Sequence, residues 1–168
     1  MARFIYKTLA AAMAVMLLMI LAAIPVSAAE TRTGRDITIE SGRVIDDDLY
    51  IAGASITING TINGDLIVAA GMVTINGTVN GSVIAACGTF DMNGMVSGSV
   101  RCAGGTISIS GEIGRDLVVG SGELVMTRTA QVGRDILVGA GTARIAGTVQ
   151  GDVTAASDLT SPPMVIPE

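Results

Sequence analysis

The sequence predicts an all-β fold: a single-stranded parallel β-helix, a solenoid with three short faces per coil and about six coils. Three observations carry that expectation. Residues 61–77 read TINGDLIVAAGMVTING, and residues 78–94 repeat the pattern as TVNGSVIAACGTFDMNG. The series Asp48, Asp65, Ser82, Ser99, Asp116, Asp135 and Asp152 advances by 17 residues at every step but one, which is 19. A constant period of this kind is the signature of stacked repeats. Within one period the apolar residues fall as two i,i+2 pairs and a singleton: Leu66 with Val68, Val73 with Ile75, then Val79. Alternate residues of a strand share a face. Glycines interrupt every turn, so a helical spacing has no room to develop.

The apolar positions form five columns. The first holds Leu49, Leu66, Val83, Val100, Leu117, Ile136 and Val153, and the second Ile51, Val68, Ala85, Cys102, Val119, Val138 and Ala155. The third runs Ile56, Val73, Phe90, Ile107, Leu124, Ala143, and the fourth Ile58, Ile75, Met92, Ile109, Met126, Ile145. The fifth is Ile62, Val79, Val96, Ile113, Val132 and Val149. No charged residue enters any of them. Burial of each branched chain contributes roughly 1.5–3 kcal/mol, set against the entropy of ordering the chain.

In chain order, residues 1–29 come first. Arg3 and Lys7 precede an apolar run over residues 9–24, and Val26, Ser27 and Ala28 provide a small-residue cleavage site. This is the pattern of a signal peptide, with an uncleaved membrane anchor as the alternative. The run is shorter than the roughly 20 residues a spanning helix needs. Either way the remainder is expected to be exported, to the outer face of the cytoplasmic membrane, the periplasm or the exterior. Residues 30–47 read as an N-terminal cap and partial coil, since only 12 residues separate Asp36 from Asp48. Residues 48–156 are the β-helix itself.

Within the helix, Asn59, Asn76, Asn93 and Ser110 form one polar ladder, and Asn63, Asn80 and Ser97 another. The corner carboxylates are expected to bond nearby backbone, and the run Asp46, Asp47, Asp48 reads as a solvated corner without a calcium loop around it. The 19-residue period places a two-residue insertion in MTRTAQVG, residues 126–133, which lifts Arg128 outward. Cys87 and Cys102 sit one rung and two residues apart, a Cα separation of about 8 Å by strand dimensions. That exceeds disulfide reach, so both are expected to be small, buried and unpaired. Residues 157–168 contain Pro162, Pro163 and Pro167 and are expected to form a flexible tail, with the rungs ending near residue 155 or 156.

Composition narrows function. Ten basic against 15 acidic residues give a net charge of −5, and loss of Arg3 and Lys7 leaves 8 against 15, or −7. No nucleic-acid footprint is present. The chain has no histidine, which removes the usual forms of β-helical acyltransferases and zinc carbonic anhydrases. Corners of one or two residues leave no loops on which a polysaccharide lyase would carry its acids and bases. No catalytic, cofactor or metal residue is therefore expected.

Repeats such as INGDLIVAAGMVTINGTVNGSV (residues 62–83) resemble those of the bactofilin family, polymer-forming bacterial cell-shape proteins. The resemblance spans residues 45–156 and rests on the 17-residue period, the paired apolar positions and the glycine corners. It implies a right-handed triangular β-helix that polymerises end to end without nucleotide, followed by a flexible proline-bearing tail. Bactofilins are typically cytoplasmic, whereas this chain begins with an export signal. The expectation is a non-enzymatic structural protein of the cell envelope whose principal partner is itself, with membrane or envelope components as further partners. Ile37 and Ile39 at one end, and Val149, Val153 and Ala155 at the other, are the expected self-assembly residues. The alternative is an exported carbohydrate-binding or adhesive module, for which Tyr50 is the one outward aromatic.

Overall fold

The computed structural model describes residues 30–159 and 164–165, so the segment 1–29, expected to be a signal peptide or anchor, lies outside the described residues. The chain alternates ten-residue and two-residue strands. The first coil contains β1 (Glu30–Ile39) and β2 (Val44–Ile45), the second β3 (Leu49–Ile58) and β4 (Thr61–Ile62). Next come β5 (Leu66–Ile75), β6 (Thr78–Val79), β7 (Val83–Met92) and β8 (Met95–Val96). They are followed by β9 (Val100–Ile109), β10 (Glu112–Ile113), β11 (Leu117–Met126) and β12 (Gln131–Val132). β13 (Ile136–Ile145), β14 (Thr148–Val149), β15 (Val153–Leu159) and β16 (Met164–Val165) complete the series. The long strands stack as one eight-stranded sheet and the short ones as another, and every described pairing is parallel. This is a parallel β-solenoid of about seven turns.

Each long strand carries two of the three faces. In β3 the inward residues are Leu49 and Ile51 and then Ile56 and Ile58, so the alternation changes phase between the two pairs. The strand bends there while its ladder continues, and the two-residue strand closes the triangle. From Leu49 to Val149 every member of the five expected columns is buried.

The first turn differs from the expectation. Glu30–Ile39 is a full strand, with Asp36 opposite Ser55 rather than in line with Asp48. Glu30 pairs with Leu49, an offset of 19 residues, so this turn is longer than the standard 17, not shorter. The two extra residues lie in the turn Glu40-Ser41-Gly42-Arg43, closed by the Arg43 amide donating to the Glu40 carbonyl at 3.1 Å. Gly42 has a φ of 82°, which a side chain would strain. The second insertion occupies the same corner in a later coil, between β11 and β12: the Ala130 amide donates to the Thr127 carbonyl at 3.2 Å, with Arg128 exposed. Insertions are accepted at this one corner because it projects a hydrogen-bonded turn without displacing either strand.

The C-terminal end also departs from the expectation. β15 runs to Leu159, and Met164 and Val165 pair with Thr148 and Val149. Pro162 and Pro163 lack amide donors of their own, but that does not prevent Met164–Val165, beyond them, from adding a rung.

Candidate assembly surfaces

Two end rungs, the polar corners and one outer face are the places where this solenoid can meet another molecule. At the N-terminal end, register places Glu30 and Arg32 in the first and second columns, above Leu49 and Ile51. The Arg32 guanidinium donates to the Glu30 carboxylate, with Nε at 2.8 Å from Oε1. This rung therefore substitutes a self-neutralised ion pair for the two apolar residues found in later coils. Ile37 and Ile39 continue the third and fourth columns; Ile37 is half-buried and Ile39 fully buried.

At the other end, Val153 and Ala155 are half-buried members of the last long strand. Val149 lies one rung further in, paired with Val165 and fully buried, so it does not face the end as expected. Among the described strands, β1 and β15 are the edges of the long sheet, and β2 and β16 those of the short one. Each edge carries backbone donors and acceptors in the parallel pattern of the ladder behind it.

The corner residues bond between coils. Asp48 Oδ1 accepts the amide of Asp65 at 2.8 Å, Asp65 Oδ1 that of Ser82 at 2.7 Å, and Asp135 Oδ1 that of Asp152 at 2.9 Å. The nearby backbone expected to bond these three carboxylates is thus that of the next coil. Ser99, the one buried polar residue among those described, donates through its hydroxyl to Asp116 Oδ2 at 3.1 Å. The asparagine ladders form as expected. Asn76 Nδ2 donates to Asn59 Oδ1 at 2.9 Å, Asn93 to Asn76 at 3.0 Å, and Asn80 to Asn63 at 2.7 Å. Asp46, Asp47 and Asp48 each accept a hydrogen bond from the chain itself, from Asn63, Asp48 and Asp65 respectively. Among the described residues no group of three acidic, histidine or cysteine side chains is placed to hold a metal ion.

Both cysteines are free. Cys102 lies opposite Ala85 and Cys87 opposite Gly104, two residues apart on neighbouring strands. Cys102 is buried as expected, whereas Cys87 is only half-buried. Desolvation, reinforced by Cys87, pushes the Cys102 thiol from its ordinary 9.0 to about 12. Burial, with the Asp91 charge adding to it, also raises Cys87. A thiol with a raised folded pKa stays neutral while the unfolded chain ionises. Its contribution to folding is therefore unchanged below pH 9 and becomes unfavourable as pH rises toward 12. The expected result is alkylation of Cys87 before Cys102 under native conditions at pH 8, with Cys102 modified only on unfolding. Mass spectrometry of iodoacetamide-treated protein checks this; equal labelling rates would contradict the burial difference.

One outer face has no counterpart among the sequence expectations. Between the first two columns the side chains of the long strands point outward as Tyr50, Ile67, Ile84, Arg101, Val118 and Leu137. The next outward column is Ala52, Ala69, Ala86, Ala103, Gly120 and Gly139. The corresponding outward positions on the rest of the long strands are mixed and polar, for example Thr57, Thr74, Asp91, Ser108, Val125 and Arg144. The sequence signal was present as apolar residues filling the gaps between column pairs.

These features define a β-solenoid repeat protein with one apolar side and, among the described strands, an edge strand at each end. Comparison of the chain with protein-family models, with curated proteins and with solved structures finds no match to any of them.

Proposed function

We propose that this chain is an exported, bactofilin-like structural protein that polymerises by stacking the ends of its β-solenoid at the cell envelope. The observation that carries the reading is that, among the described strands, an all-parallel ladder has β1 and β15 as its two edges. A parallel ladder repeats by translation along its axis. The C-terminal edge of one copy therefore presents the hydrogen-bonding pattern that the N-terminal edge of another copy would extend. Val153 and Ala155 supply small apolar contacts at the junction, Ile37 supplies one from the facing rung, and the Glu30–Arg32 pair brings no net charge with it. Assembly of this kind uses no nucleotide and no catalytic residue. The same unit repeated would make a stiff fibre suited to supporting the envelope. The alternative, a carbohydrate-binding or adhesive module, rests on Tyr50 as the single exposed aromatic among the described residues.

Val153→Arg tests the junction. The substitution places a cation where the stacked ends would exclude water, at a cost of several kcal/mol for an unpaired buried charge. Val153 is only half-buried in the isolated chain, so the fold is expected to survive the substitution. Sedimentation of the parent and variant side by side should give polymer for the parent and a folded monomer for Val153→Arg. Polymerisation of both to the same extent would remove end stacking as the mechanism.

A further inference from the structure

The apolar outer face forms an open groove of about 720 Å³, within the usual range of small-molecule sites. Its ridge is the Tyr50, Ile67, Ile84 column and its floor the Ala52, Ala69, Ala86 column. Because the floor residues are so small, the second core column shows through it: Ala85 and Cys102 keep 4% and 5% exposure, while the other core columns are almost wholly sealed. Arg101 is the one charged residue in the two outward columns. It is exposed and has no ion pair or hydrogen bond among the described residues, whereas Arg32 at the groove's end is held by Glu30.

We propose that this groove binds a single free long-chain carboxylate, with its aliphatic chain along the ridge and its head group on Arg101. Two features select that chemistry. Arg32, the other arginine lining the groove, is already neutralised by Glu30, so the single unpaired cation asks for one anionic group, and guanidinium matches a carboxylate through two parallel hydrogen bonds. From Arg101 to Thr31 the face spans four rungs, about 19 Å at the usual strand spacing, with only aliphatic and tyrosine side chains between. An extended fourteen-carbon chain matches that length.

A second copy of this chain fits the face less well. Two-fold pairing that covers the whole face brings the two Arg101 side chains within about one rung of each other, whether the solenoids run parallel or antiparallel. No acidic side chain lies in these columns to separate them, and like charges in a dry interface are destabilising. The inference is independent of whether the chain polymerises by its ends.

Calorimetric titration of the full chain with tetradecanoate, kept below its aggregation concentration, tests the site. One acid per chain is expected. Arg101→Gln should weaken binding at least tenfold, Arg101→Lys should recover most of it, and tetradecyltrimethylammonium should bind at least tenfold more weakly than the acid. Ala86→Phe fills the floor from outside the core and should abolish binding with an unchanged melting curve. Ala69→Leu provides the same test should Ala86→Phe fail to fold. Equal affinity of the parent and Arg101→Gln, or of the acid and its cationic counterpart, would overturn the proposal. So would binding only to phosphatidylglycerol vesicles and not to the free acid, which would make the face a bilayer contact. A chain that is dimeric, and becomes monomeric on Ala86→Phe with acid binding unaltered, would assign the face to a second copy.

Discussion

Replacing Ile109 with Asp is expected to abolish the cooperative melting transition at neutral pH. Ile109 is fully buried in the fourth column, with Met92 and Met126 one rung to either side. No basic side chain shares that column, so the carboxylate would be both desolvated and unpaired. The cost is about 4 kcal/mol or more, comparable with the 5–15 kcal/mol that holds most domains together. The pH dependence gives a further check. Burial favours the neutral acid and raises its folded pKa, so the penalty applies above the unfolded value near 4. The deficit relative to the parent should shrink as pH is lowered toward 4, whereas that of Ile109→Asn should not follow the same course. Circular dichroism melts at pH 4 and pH 7 measure both. An Ile109→Asp variant with the parent's melting temperature would show that this column does not face the core.

The second large effect is expected at a corner glycine. Gly94 donates its amide to the Ile75 carbonyl at 3.0 Å, and Asn93 donates to the same oxygen at 2.8 Å. The corner is thereby drawn tightly onto the coil beneath it. A Cβ at Gly94 would lie inside contact distance of the Gly77 carbonyl oxygen and 2.8 Å from the Asn76 carbonyl carbon. Both obstacles are backbone, so neither can rotate away. Gly111 stands in the same relation to Gly94. Gly94→Ala must therefore separate two rungs, and a loss of about 3 kcal/mol or more is expected. Two positions supply the comparison. An added Cβ at Gly120 meets nothing within 4 Å, so Gly120→Ala should be nearly neutral. At the corner equivalent to Gly94 in the sixth coil stands Ala130, which is accommodated because the inserted turn there re-routes the chain. Equal melting temperatures for Gly94→Ala and Gly120→Ala would contradict the tight-corner account.

The core was legible because it is periodic: five columns of Ile, Val, Leu and their substitutes recur at one spacing, and a strand admits only one phase for them. The first rung was misjudged because the same signal fails there. Glu30 and Arg32 stand in columns that are otherwise apolar, so the strand looked like a charged cap, and Asp36 was aligned with a corner it does not occupy. At the other end the prolines stand out in the sequence and the short pairing of Met164 and Val165 does not, because a missing donor is visible in sequence and a two-residue pairing is not. The apolar outer face was overlooked for a different reason. Ile67 and Ile84 fall between inward residues, and once the inward set is assigned, its neighbours are assumed to face water without being compared face by face. Polar ladders were easier: identical side chains at a fixed period stack, and Asn59, Asn76 and Asn93 do so.

End-to-end assembly is tested most directly by negative-stain microscopy of purified residues 30–168 at high concentration, without nucleotide. The account predicts filaments one solenoid wide that lengthen with concentration and are absent for Val153→Arg. Single particles of monomer size at every concentration would contradict it.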